Sequence, residues 1–231
     1  MSKWIVAERH KGGVSMWEMP SRQEISGAEG PIVMVGGGAA PRSLPCTAIP
    51  DRLVSGEGGG WLFPPLAWDG QVSDGAEARV AGFVAANPNW DGVICVMGAS
   101  TAWVHVSAGE VISFQRFVTA QLAAALDVSD HWDEDRLRAA LDEVMTRPER
   151  LAAYLARAGD AGTLWGALLG AELAAARPYW LGQQVLLVGA GRGADALALG
   201  LSGQGVPVER ADDTDMLLAG VAAAVSAHGG L

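Results

Sequence analysis

Gln184-Val-Leu-Leu-Val-Gly-Ala-Gly-Arg-Gly-Ala-Asp-Ala-Leu-Ala-Leu-Gly-Leu201 decides how this chain is read. Its apolar run, Val185 to Val188, has the unbroken hydrophobicity of a strand buried on both faces. Glycines at 189, 191 and 193 then permit a sharp turn that a residue carrying Cβ resists. From Ala194 to Leu201 the spacing is helical, with Leu197 and Leu201 on one face. Strand, glycine turn and helix start together present backbone N–H groups where a phosphate or nucleotide can sit.

Three readings of that turn compete. Gly189-x-Gly191-x-x-Ala194 fits the dinucleotide fingerprint, and Glu209 lies twenty residues beyond Gly189, after Val206-Pro-Val208. That fingerprint normally opens its domain, whereas only residues 205–231 follow here. The glycines can equally serve close packing alone. The third reading, a nucleotide site of another kind, draws on the rest of the chain.

Half of the 231 residues are hydrophobic, enough for a substantial core in one large domain or two small lobes. The net charge of −10, with basic residues scattered, argues against binding a phosphate backbone, so no nucleic-acid partner is expected. The start, Met1-Ser-Lys-Trp-Ile-Val-Ala-Glu-Arg-His10, has no apolar core of signal-peptide length. Charges interrupt the alanine-rich segments, so no membrane span is expected either. Cys46 and Cys95 lack metal-ligand spacing and read as reduced thiols in a cytoplasmic protein. The four histidines are dispersed and make no metal cluster.

Along the chain, Trp4–Ala7 and Val14–Trp17 read as a hairpin around His10-Lys-Gly-Gly13. Pro31–Val35 is a strand running into Gly36-Gly-Gly38. Residues 41–65, rich in proline and glycine, read as loop, with Trp61–Phe63 as the strand within it. Residues 74–86 read as a helix capped by Ser73 or Asp74. Val93–Met97 is a buried strand ending in Gly98-Ala-Ser-Thr101, whose N–H and O–H groups suit a phosphate. A hairpin over 102–106 and 110–114 follows, then amphipathic helices over 118–126, 133–145, 148–158 and 162–176. Glu172, polar among small and apolar neighbours, reads as a solvated or capping acid. A strand over 206–208 and a helix over 213–227 close the chain.

Taken in this order, Leu164-Trp-Gly-Ala-Leu-Leu-Gly-Ala-Glu-Leu-Ala-Ala-Ala176, Val185-Leu-Leu-Val-Gly189 and residues 212–225 resemble the adenosine side of the 2-dehydro-3-deoxygalactonokinases. These are sugar-acid kinases of the actin and hexokinase superfamily. Val96-Met-Gly-Ala-Ser-Thr-Ala-Trp-Val104 and Gly109-Glu-Val-Ile-Ser-Phe-Gln-Arg-Phe-Val-Thr-Ala-Gln-Leu122 resemble the family's second phosphate hairpin and the helix behind it. Together the matches cover most of residues 92–231. The resemblance implies an α/β, two-lobed actin/hexokinase-like (ribonuclease H-like) fold with mixed sheets. It implies a shortened amino-terminal lobe over 1–91 and a nucleotide-side lobe over 92–231. ATP and magnesium are the implied cofactors and a small-molecule sugar acid the implied substrate; a homodimer stays open.

The departures from the family sit where its chemistry should be. Ile5–Trp17 takes the place of the first phosphate hairpin, where the family carries an aspartate, then tryptophan, glycine and a hydroxyl residue. Here Glu8, Arg9, His10 and Lys11 stand, and Glu8, which keeps a carboxylate, is the implied magnesium ligand through water. The substrate turn near Gly36–Arg42 is shortened, and the family's helical segment between Trp17 and Pro31 is missing. The connecting helix opens Ser73-Asp-Gly-Ala-Glu77, so Ala76 replaces an acid and Asp74 an arginine. Ser100 and Ala102 replace the family's histidine and lysine. The resemblance leaves Asp74 or Glu77 as base, and Gly98, Ser100 and Thr101 on phosphate. Gly189, Gly191 and Gly193 then meet the adenine nucleotide, with Lys11 or Arg42 supplying the missing charge. Each lost preorganised donor costs about 2.7–4 kcal/mol of transition-state stabilisation. The expectation is a kinase with degraded motifs; the alternative is an inactive nucleotide- or sugar-acid-binding sensor or subunit.

Overall fold

The computed structural model describes residues 3–27, 29–129 and 131–231. The chain begins with β1 (Trp4–His10), β2 (Gly13–Met19), β3 (Gln23–Ile25) and β4 (Ile32–Val35). Six short strands follow: β5 (Arg42–Ser43), β6 (Cys46–Thr47), β7 (Val54–Ser55), β8 (Trp61–Leu62), β9 (Leu66–Trp68) and β10 (Gln71–Val72). Helix α1 (Ala76–Ala86) leads to β11 (Gly92–Met97), β12 (Thr101–Ser107) and β13 (Glu110–Phe117). A helical run comes next: α2 (Thr119–Ala125), α3 (Glu134–Thr146), α4 (Leu151–Leu155), α5 (Ala161–Ala175) and α6 (Arg177–Trp180). The chain closes with β14 (Val185–Val188), α7 (Gly191–Gly203), β15 (Val208–Ala211) and α8 (Asp213–His228). No helix among the described residues is long and apolar enough to cross a membrane.

Two compact units result: Met1–Asp91 with Val106–Phe114 and Asp213–Leu231, and Gly92–His105 with Gln115–Asp212. In the first unit the sheet order is β3-β2-β1-β4-β8-β7. Strand β1 runs antiparallel to β2 and parallel to β4, with Glu8 opposite Val35. Alternation along these strands sends Val6, Trp17, Val33 and Val35 into one core with Phe63, Ala78, Ala81, Leu217 and Val221. Helices α1 and α8 cross there at two glycines. A Cβ on Gly82 would lie 2.0 Å from the Met216 carbonyl oxygen, and one on Gly220 would lie 1.8 Å from that of Ala78. This close crossing is why the closing helix joins the first unit. These compact units do not follow the expected division into 1–91 and 92–231, since Asp213–Leu231 packs with the first unit.

The second unit is built on parallel strands β15-β14-β11, with β12 beside β11. Strand β11 is buried at every position, as its apolar run requires. Helices α3 and α5 pack through Gly166 and Gly170, where a Cβ would come within 2.2 and 2.5 Å of the carbonyl oxygens of Leu137 and Leu141.

Several elements differ from their sequence reading. Residues 41–65 contain four short strands rather than one. As read from the sequence, the 17–31 interval holds no helix among its described residues; the short strand β3 there was not expected. Gly75, at φ +85°, takes the cap position of α1 in place of Ser73 or Asp74, and the Ser73 hydroxyl instead accepts from Leu66 N at 2.8 Å. The helix expected over 148–158 breaks into the 3-10 turn Pro148–Arg150 and short α4. Val206 is 9% exposed and packs in the core, so the last strand starts only at Val208.

Candidate active site

In the first unit, three charged side chains meet. Strand β1 delivers Glu8, α1 delivers Arg79 one turn after its glycine cap, and α8 begins with Asp213. Arg79 Nη1 donates to Glu8 Oε1 at 2.6 Å and Nη2 to Glu8 Oε2 at 3.2 Å. Its other edge meets Asp213, Nε to Oδ1 at 2.6 Å and Nη2 to Oδ2 at 2.5 Å. Nη1 also donates to Gly75 O at 3.1 Å. Burial works against the guanidinium charge, but Asp213 and Glu8 outweigh it and hold Arg79 above the usual arginine value. Gly75 is required here on two counts: its φ is positive, and a Cβ would sit 3.0 Å from Glu8 Oε1.

A water-bridged divalent ion needs carboxylate oxygens open to its shell. Both oxygens of Glu8 already face Arg79, so the expected magnesium site at Glu8 does not fit the residues around it. Among the described residues no group of three or more His, Cys, Asp or Glu is placed to hold a metal ion.

The same helix separates the two candidate bases. Asp74 is exposed, whereas Glu77 is 1% exposed. Burial pushes the Glu77 carboxyl above its usual value, with a Ser73 hydrogen bond acting against the shift. Glu77 Oε2 finds no hydrogen-bond partner within the protein, and neither does Arg42 Nε. Arg42 is held by the carbonyls of Thr47 at 2.6 Å and Ala48 at 3.4 Å. Burial lowers its pKa, while Cys46, Glu77 and Asp51 pull the other way. A half-buried cation and a buried acid thus belong to one unit.

In the second unit, Val96 pairs with Val188 in parallel register. The turns after them, at Gly98 and Gly189, therefore leave the sheet at the same carboxyl end, where open α/β sheets bind ligands. The three glycines of the second turn have different tasks. A Cβ on Gly189 would approach Met97 O to 2.6 Å, and one on Gly193 would meet Met97 Cε at 2.9 Å and Trp165 Cη2 at 3.1 Å. Gly191, at φ +81°, has nothing within 4 Å of that position. So Gly191 leaves approachable backbone at the start of α7, while Gly189 and Gly193 are packing glycines. Beside them Arg192 stacks over the Trp132 ring at 3.9 Å.

At the first turn, Gly98 N donates to Ser100 O at 3.1 Å, and Gly98 and Ala99 are exposed. Arg116 on β13 donates to Ser100 Oγ from Nη2 at 2.9 Å and from Nε at 3.3 Å. Thr101 does not share that exposure. It is 0% exposed, and its hydroxyl is buried near Glu172 without a hydrogen-bond partner within the protein. Glu172, read from sequence as a solvated or capping acid, is 2% exposed and accepts from Trp103 Nε1 at 2.9 Å.

Sequence reasoning passed over Arg79, Asp213 and Arg116. A lone arginine amid the apolar run Ala78-Arg-Val-Ala-Gly-Phe-Val84 was the available signal for Arg79, since such a charge demands a partner. Nothing local marks Arg116.

The sequence model described as 2-keto-3-deoxy-galactonokinase matches residues 64–224. No curated protein matches the chain. Among solved structures, one from Sinorhizobium meliloti, provisionally described as a 2-dehydro-3-deoxygalactonokinase, aligns with a TM-score of 0.83 at 18% identity, over 99% of this chain and 100% of that one. The likeness shows the fold: α/β, two-lobed and actin/hexokinase-like, with mixed sheets. Component A of (R)-2-hydroxyglutaryl-CoA dehydratase from Acidaminococcus fermentans aligns over 66% of both chains at 15% identity, with a TM-score of 0.40.

Proposed function

Since this chain belongs to the 2-keto-3-deoxy-galactonokinase family, we propose that it binds ATP and a 2-keto-3-deoxy sugar acid and transfers the γ-phosphate only weakly. Glu77 carries the reading: a buried acid, inside the matched region, with an unpartnered carboxyl oxygen. In the transfer, Glu77 takes the proton of the sugar hydroxyl, the hydroxyl oxygen bonds to the γ-phosphorus, and the bond to ADP breaks. Arg42 offers positive charge for the sugar-acid carboxylate. The Gly98–Ser100 turn, with Arg116, serves the phosphates, and the open backbone at Gly191 serves the nucleoside side. ATP would arrive as its magnesium complex, and no step runs through a metal held by Glu8.

Weak transfer follows from the substituted positions. Ala76 and Ala102 cannot ionise or donate, each a loss of about 10²–10³ in rate by analogy with an oxyanion-hole donor. The second reading, an inactive nucleotide-binding sensor or subunit, is favoured by the pairing of Glu8 with Arg79. A coupled ADP-release assay with magnesium, ATP and 2-dehydro-3-deoxygalactonate tests both. Expected is sugar-dependent turnover far below the usual range of roughly 1–10³ s⁻¹, removed by Glu77→Gln. Turnover within that range overturns the weak-transfer reading. Calorimetric ATP binding without turnover selects the sensor, and no ATP binding overturns both.

A further inference from the structure

The Arg79 guanidinium has five N–H donors, and five acceptors meet them. Nε faces Asp213 Oδ1; Nη1 faces Glu8 Oε1 and Gly75 O; Nη2 faces Glu8 Oε2 and Asp213 Oδ2. The group is saturated, leaving no donor for a phosphate or substrate carboxylate. Its planar fork is matched on two edges by carboxylates, the geometry in which arginine binds most strongly. The side chain is only 10% exposed, and Glu8 is 17% exposed, so water screens the cluster poorly.

We propose that Arg79 is a resident cation standing between Glu8 and Asp213 in place of a divalent metal ion, so that this acid pair binds no metal in the native protein. Two carboxylates alone would carry two negative charges and present oxygens to a hard cation such as Mg²⁺ or Mn²⁺. Arg79 halves that charge and takes the facing edges of both carboxylates. Unlike a metal, it cannot dissociate, exchange or follow a nucleotide in and out. The cluster is therefore a permanent tie between β1, α1 and α8, and chelators leave it intact. Gly75 is part of the device, because its missing Cβ admits both the Glu8 carboxylate and Nη1, which would lie 3.1 Å from that atom.

The test reads metal rather than nucleotide, so its outcome is independent of whether the protein turns over ATP. Mn²⁺ is titrated into the full chain and free Mn²⁺ is followed by electron paramagnetic resonance, for the native protein, Glu8→Gln, Arg79→Gln and the double variant. Native protein and Glu8→Gln should bind Mn²⁺ alike. Arg79→Gln should gain a site at least about tenfold tighter than any in the native protein, and Glu8→Gln added to it should abolish that site. Glu8-dependent Mn²⁺ binding by the native chain overturns the proposal, as does an Arg79→Gln protein that folds and gains no site. Should Arg79→Gln fail to fold, the comparison of native protein with Glu8→Gln decides alone, together with thermal unfolding in chelator. A melting temperature lowered by chelator in the native protein, but not in Glu8→Gln, would count against the resident cation.

Discussion

Trp103 Nε1 donates a 2.9 Å hydrogen bond to Glu172 Oε1 where neither side chain meets solvent, Trp103 being 0% and Glu172 2% exposed. Burial raises the pKa of that carboxyl, against the nearby Thr119 hydroxyl, the Trp103 hydrogen bond and the nearby Thr101 hydroxyl. The folded chain thus holds a proton that the unfolded chain has already released. The contribution of this acid to stability is fully present below the usual carboxylate range and is lost as pH rises through the raised folded value. Urea midpoints should therefore fall as pH rises above the usual carboxylate range, and Glu172→Gln, neutral and of the same shape, should flatten part of the slope. The remainder belongs to Glu77, shifted in the same direction. An unchanged slope in Glu172→Gln would remove Glu172 from this account.

The crossing of α1 and α8 predicts a steric effect without polar chemistry. Gly82→Ala puts a methyl group 2.0 Å from Met216 O, a backbone atom that can retreat only if the helices separate. We expect a loss of about 3 kcal/mol, the upper end of ordinary overpacking, read from chemical denaturation. A loss below about 0.5 kcal/mol, the usual range of a surface substitution, would show that the helices do not cross so closely.

The glycine turn after β14 predicts a division of labour. Gly193→Val meets Met97 and Trp165 and should lower the melting temperature with or without nucleotide. Gly191→Val faces open space but sits at φ +81°, so it should cost only about 1–2 kcal/mol of backbone strain. That same variant should lose the thermal protection conferred by ATP on the native protein. Undiminished protection would make the turn purely structural.

Arg116 is expected to matter for phosphate through its place beside Ser100. Arg116→Ala should weaken ATP binding about tenfold, or about 1.4 kcal/mol, and Arg116→Lys should recover part of that by restoring charge without the planar fork. Calorimetric titration gives the answer. Equal affinity in native protein and Arg116→Ala would assign the arginine to holding the turn alone.

Much of the framework was determined by the sequence itself. A continuous apolar run such as Val93-Ile-Cys-Val-Met97 or Val185–Val188 can be stable only in a buried strand, and both lie there, side by side. The helix over Asp213–His228 and the hairpin around His10–Gly13 were likewise legible, because hydrophobic spacing and glycine turns act over a few residues. The motif order was sufficient to identify the family. Tertiary structure decided the rest. Arg79 finds its partners 71 and 134 positions away, and no local pattern encodes a pairing over such separations. Of three neighbouring glycines only Gly191 faces open space, because the ends of other elements, Met97 and Trp165, fill the space beside the others. Thr101 and Ser100 are adjacent hydroxyls in sequence, yet Thr101, the first residue of β12, is buried in the core while Ser100, just before the strand, meets Arg116. Periodicity fixes which side of an element is apolar; only the packing of distant elements determines what a charged or polar group on it will face.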